Sequence, residues 1–178
     1  MRTWAWVGIA AGCGADGDSV DPSATTSPAT EDWPAEWAEL EAEVLELVNQ
    51  QRFLGAVCGD EVMGGGAPAL EFDPTLRGVA RAHSEDMADR KFFDHVNPDG
   101  DDPFDRMEAA GFAGALPWGE NIAMGATSAQ QVVNGWMNSP GHCVNILLPE
   151  YAVIGIGLFE DPEVPGGSWW TQNFAASH

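Results

Sequence analysis

Apolar residues recur on two different periods along this chain, and the change of period divides it. From about Pro34 to Phe53, the residues Trp37, Leu40, Val44, Leu47 and Val48 repeat at the spacing of one helix face. Glutamates crowd the first half of that stretch, which suits the positive end of a helix dipole. After a Gly64-Gly65-Gly66 loop, Asp73-Pro74 predicts a second helix, with the Asp as cap and the Pro in the first turn. Leu76, Val79, Ala80, His83 and Met87 share one face of it, so His83 is expected to be a buried structural histidine hydrogen-bonded to a neighbour. Lys91 to Asp102 reads as loop, and Pro103 to Ala110 as a short helix stopped by Gly111. Asn121 to Gly125 predicts a short strand. Thr127 and Gln130 form a weak capping box for a helix through Met137, which Pro140-Gly141 breaks.

Beyond that point the period shortens. Val153 to Phe159 is apolar at almost every position, as in a central strand covered on both faces. Asp161 to Gly167 is turn material, and Ser168 to Ala175 alternates as a returning antiparallel strand. Trp170, Gln172 and Phe174 fall on one of its faces and Trp169 on the other. Helices first and strands last predict an α+β fold, with helices packed on a small, mostly antiparallel sheet.

The first residues follow neither period. Met1-Arg2, the largely apolar Thr3 to Gly12 and then Cys13 read as a secretory leader over 1–13. The apolar run is too short to span a bilayer. Residues 14–32 are rich in Asp, Ser, Thr, Pro and Ala and predict a disordered tether. The folded domain is expected over 33–178, a length that can hold one proper core.

Composition narrows the function. The formal net charge is −21 at pH 7. That excludes nucleic acid, whose phosphates would be repelled, and docking on anionic lipid through a basic patch. There are three cysteines, Cys13, Cys58 and Cys143. If Cys13 is set aside, an exported protein can pair Cys58 with Cys143, and the bridge would hold the loop carrying His142; two buried free thiols are the alternative.

Candidate chemistry is confined to three stretches. They are Phe92-Phe93-Asp94-His95, Gly119-Glu120-Asn121 and Trp136-Met-Asn-Ser-Pro-Gly-His-Cys-Val-Asn145. Two imidazoles and a carboxylate, brought together by folding, suit a divalent cation or a proton transfer. His95, His142 and Glu120 are the candidate ligands, with Zn²⁺ or a similar ion as the candidate cofactor. The alternative is a structural network in which the same groups satisfy one another's hydrogen bonds. Asn121 and Asn145 are expected to anchor backbone. Phe93, Phe112, Trp118 and Trp169 suit either core packing or the wall of a ligand cleft.

These stretches, with Ala80-Arg81-Ala82-His83-Ser84-Glu85-Asp86-Met87, resemble the CAP superfamily (cysteine-rich secretory, antigen 5 and pathogenesis-related proteins), and its bacterial SCP-like branch above all. The resemblance runs from about Glu36 to the C-terminus and implies a three-layer α-β-α sandwich. It places the family's cleft histidines at His95 and His142 and its first glutamate at Glu120. The second glutamate would fall near Ser139, so the cleft lacks one carboxylate. No nucleophile-elbow pattern flanks Ser139. Ala10-Ala11-Gly12-Cys13 resembles a bacterial lipoprotein box, which makes Cys13 the lipidation site of a cell-envelope lipoprotein; plain secretion is the other route. The resemblance implies an exported, monomeric binding module for an unidentified lipid, peptide or envelope component. A metal-dependent hydrolase and a lipid carrier are the other functions it allows.

Overall fold

The structure, a computed structural model, describes residues 6–8 and 33–176. Residues 1–5, 9–32 and 177–178, with Cys13 and the expected lipidation site, lie outside the described residues. Strand β1 (Trp6–Gly8) is followed by helix α1 (Ala35–Leu54), β2 (Ala56–Cys58), β3 (Glu61–Met63), β4 (Glu71–Phe72), α2 (Pro74–Asp89) and α3 (Pro103–Ala109). Then come β5 (Trp118–Met124), α4 (Ala129–Met137), α5 (Pro140–Leu147), β6 (Val153–Glu160) and β7 (Ser168–Ala175). Five strands form one sheet in the order β1-β5-β7-β6-β4, and β2 and β3 form a separate ribbon. All pairs in the sheet are antiparallel except β4 with β6.

The sheet is the middle of three layers. Ile154, Ile156 and Leu158 of β6, with Trp170 and Phe174 of β7, pack against Val44 and Val48 of α1, Val132 and Trp136 of α4 and Ile146 of α5. On the opposite face lie α2 and α3, with Leu76, Val79 and Met107 on Trp118 and Ala175. Met87 closes that face against Ile122 and Trp169. The alternation along β7 thus sends Trp170 and Phe174 to one layer and Trp169 to the other, as the sequence predicts.

Two glycines set how closely α2 sits. A Cβ at Gly155 would run into the α2 backbone at Leu76 and Arg77, and one at Gly157 into Ala80 and Arg81. The helix axis therefore rests on bare strand. Ser84 completes the contact, its hydroxyl bonding the Gly157 carbonyl at 3.0 Å and standing 2.9 Å from Thr171 Oγ1. The Asp73 cap forms as expected, accepting from Leu76 N at 2.8 Å.

Several elements depart from the sequence pattern. The strand expected from Asn121 begins three residues earlier, at Trp118. Ser128, not Thr127, caps α4, accepting from Gln131 N at 3.2 Å. Pro140-Gly141 does not simply end a helix; it opens α5, because proline at a first turn needs no hydrogen-bonded N–H. The Glu-rich start of α1 is not all solvated. Glu41 is fully buried, accepting from Arg77 (2.6 Å), Arg81 (2.7 Å), Trp33 Nε1 (3.0 Å) and Leu158 N (3.2 Å).

Candidate functional site

The histidine–glutamate cleft is built around β5. Strand alternation turns the Glu120 side chain to the α2–α3 layer and that of Asn121 to the α5 layer. Gly119 between Trp118 and Glu120 is required by Tyr151, whose hydroxyl occupies the space of a Cβ there.

Glu120 is 1% exposed, and both of its oxygens are engaged. Its Oε1 lies 2.8 Å from His95 Nδ1 and 3.9 Å from His83 Nε2. Its Oε2 accepts from Arg106 Nη2 at 2.7 Å. With its amide nitrogen turned inward, Asn173, the cross-strand partner of Glu120, donates to the same oxygen at 3.0 Å. Burial pushes the Glu120 carboxyl up, but the His95 hydrogen bond and the charges of His83 and Arg106 outweigh it, leaving the pKa below its ordinary value. An ionised carboxylate only accepts, so His95 carries its proton on Nδ1.

Arg106 joins the loop to the strand. Besides Glu120 it bonds the His95 carbonyl at 2.8 Å and the Asp101 carbonyl at 2.9 Å. It stands on α3, whose start is fixed by a capping box between Asp102 and Asp105. His83 lies on the buried face of α2, with Nε2 3.1 Å from the Asp94 carbonyl, so that nitrogen is its donor. Burial holds its pKa below the ordinary histidine value despite the nearby Glu120 charge.

His142 comes from the other layer, in the first turn of α5. Both ends of this helix are held from the end of α1. Cys58 and Cys143 form the expected disulfide, with Cα atoms 5.5 Å apart. Its sequence separation of 85 corresponds to about 4–5 kcal/mol in the chain-entropy picture. The fully buried Arg52 donates to the carbonyls of Ile146 and Leu148 (both 2.8 Å), Tyr151 (2.9 Å) and Pro68 (2.8 Å). These include the last carbonyls of α5, where a cation is favoured. Asn121 Nδ2 donates to the His142 carbonyl at 3.2 Å, and Asn145 Nδ2 to the Glu120 carbonyl at 3.2 Å and Asn121 Oδ1 at 3.0 Å. The two asparagines thus lace α5 to β5.

His142 is 4% exposed, and its Nε2 has no hydrogen-bond partner among the described residues. Burial lowers its pKa to about 4, and the neighbouring His95 adds to the shift. At neutral pH it is an uncharged imidazole. Ser139 caps α5 without a side-chain hydrogen bond to it, three residues before His142.

His95 and Glu120 thus meet on one side of β5, while His142, with Ser139 at the cap of its helix, comes from the other. Among the described residues no group of three or more His, Cys, Asp or Glu side chains is arranged to hold a metal ion. Glu120 faces a guanidinium and two N–H donors, so both of its oxygens already accept hydrogen bonds. Three aromatics read as possible cleft wall are core instead: Phe112, Trp118 and Trp169 are 5–7% exposed, and the Trp118 indole bonds the carbonyls of Gly114 and Ala115. Phe93 is 44% exposed. Arg106 and Asn173 escape sequence reading, because each reaches Glu120 only through the sheet register and the α3 docking.

The family model for the cysteine-rich secretory protein family (CAP) matches residues 45–174. The chain belongs to the cysteine-rich secretory protein family. YkwD, an uncharacterized protein of Bacillus subtilis (strain 168), is 40% identical over 141 residues, covering 79% of this chain and 49% of that protein. YlbC, an uncharacterized membrane protein of the same organism, is 30% identical over 158 residues, covering 89% of this chain and 40% of its own length. The chain thus spans about half or less of these curated relatives. Among solved structures, an extracellular protein containing a SCP domain from Bacillus anthracis str. Ames superposes with a TM-score of 0.62 at 26% identity, over 82% of this chain and 44% of that one. The CAP fold, a three-layer α-β-α sandwich, is the fold of this domain. No helix among the described residues is long and apolar enough to cross a membrane.

Proposed function

We propose that this CAP domain is an exported binding module, and that its cleft takes a polar ligand group between His142 and His95. One observation carries the reading: a buried, uncharged imidazole whose Nε2 has no partner among the described residues. A buried polar atom without a partner carries a penalty of about 1–3 kcal/mol, which a ligand hydrogen bond removes. The opposite rim is rigid, because Glu120, Arg106 and Asn173 fix the His95 ring. Export accords with the disulfide, with the leader-like residues 1–13 and with the extracellular SCP-domain protein of similar fold. Anchoring through Cys13 belongs to the same proposal.

A two-histidine cation site remains chemically open to His95 and His142, but Glu120 is not counted among its ligands. In a hydrolytic reading Glu120 is not the free base, since both of its oxygens are occupied. Two open hollows lie elsewhere: one of about 570 Å³ beside Phe53 and Leu54, and one of about 400 Å³ under the Gly64–Gly66 loop. Neither is lined by a cleft histidine.

Native mass spectrometry of the chain purified after export tests the proposal. A co-purified mass that is lost from His142→Ala, with the disulfide and melting temperature retained, is expected. A parent chain that carries no such mass, or a variant that holds it equally well, overturns the reading.

A further inference from the structure

The outer edge of β5 carries a three-residue strand, β1. It pairs antiparallel with β5, Trp6 opposite Glu120, Val7 opposite Gly119 and Gly8 opposite Trp118. β1 is the end strand of the sheet, with β5 its sole neighbour. It reaches the domain along the chain only through residues 9–32. Its ladder covers three of the seven β5 residues and stops at Glu120, so among the described residues no strand pairs with Asn121–Met124 on that side. In backbone terms β1 is a short peptide laid on an edge that accepts strands.

We propose that this edge is a docking strand for an extended peptide, added to the sheet beside the two histidines. The proposal rests on the cleft being a binding site and names its ligand class. Successive side chains of an added strand point to opposite faces. Glu120 and His95 lie on one face of β5, while Asn121 and His142 lie on the other. A docked peptide would therefore present alternate residues to the two rims. Main-chain bonds would supply affinity, and the rims would supply selectivity. The −21 net charge favours an uncharged or basic peptide over an acidic one.

The test uses the full chain produced without export, so that β1, which lipidation at Cys13 would remove with the leader, is retained. Inward N–H groups alternate along a strand, so either Val7→Pro or the pair Trp6→Pro with Gly8→Pro removes the β1 ladder. A fluorescein-labelled peptide of residues 4–10 is then titrated by anisotropy. Saturable binding to one of the two variants is expected, at least about tenfold tighter than to the parent, where the tethered strand competes at an effective concentration on the order of millimolar. A peptide N-methylated at alternate amides should not bind. Absence of binding to both variants, or equal binding of the N-methylated peptide, overturns the proposal. If the substitutions destroy the near-ultraviolet dichroism, the parent decides. Millimolar unlabelled peptide must speed hydrogen exchange at Trp6–Gly8 while the Trp118–Glu120 amides stay protected; no change overturns strand addition. A failed peptide with a persisting His142-dependent mass removes strand addition alone, and loss of both removes the cleft reading as well.

Discussion

Among the described residues two carboxylates, Glu41 and Glu120, lie fully inside this molecule, and they are held in different ways. Glu41 is enclosed by Arg77, Arg81, an indole N–H and a backbone N–H. Its cations are permanently charged, and Arg81 is further stacked at 5.0 Å over Trp33. Glu120 has one arginine, and its remaining neighbours are His95, His83 and Asn173. Around it, His83 Nδ1, Arg106 Nε and His142 Nε2 are buried without partners among the described residues. The Glu41 cluster is a satisfied fastening of α1 to α2 and β6. The Glu120 cluster holds its carboxylate but leaves ring and guanidinium nitrogens on both sides of β5 without partners among the described residues.

The comparison is most open to attack at Glu41. Glu41→Ala leaves the buried Arg81 without its counter-ion and is expected to cost about 3–5 kcal/mol by urea unfolding. A loss no larger than that of Glu120→Ala would erase the distinction between the clusters.

Next in size is the acid response of the other cluster. Folded His142 is held at about 4 against an ordinary 6.5. Above pH 6.5 both folded and unfolded rings are neutral and its contribution to stability is fully present. As the pH falls from 6.5 to 4, the unfolded chain takes up a proton that the folded chain refuses. Stability then drops, by up to about 3 kcal/mol. His142→Gln should flatten that part of the stability–pH curve, measured by denaturation at half-unit steps. His83, also lowered by burial, adds to the loss in the same direction, and Glu120, held low, adds its own at still lower pH.

Glu120→Ala should cost less than Glu41→Ala, about 2 kcal/mol, because Arg106 keeps the carbonyls of His95 and Asp101. The smallest effect belongs to Asn173→Ala, about 1 kcal/mol, since Glu120 retains the Arg106 and His95 contacts. Equal losses for Asn173→Ala and Glu120→Ala in calorimetry would place the amide, not the cations, at the centre of the network.

Much of the fold is legible in the residues. The Asp73-Pro74 start, the apolar faces of α1 and α2 and the alternation of Ser168 to Ala175 are local signals, set by dihedral preference and side-chain period. The motifs around His95, Glu120 and His142 carry the family likewise, and the two domain cysteines form the bridge between them. Less legible are β2, β3 and β4, which are two or three residues long and have no period of their own. The same holds for the burial of Glu41, which in sequence is one glutamate among several.

The chain by itself determines which segments become helix or strand and which side chains are available for chemistry, because those properties depend on neighbours a few residues away. Tertiary structure decides that Arg106 meets Glu120, that Asn173 stands opposite it, that Arg52 closes the end of α5 and that β1 borders the cleft. Each of these joins positions far apart in sequence, and each follows from strand register and helix docking, which are settled only when the whole core packs.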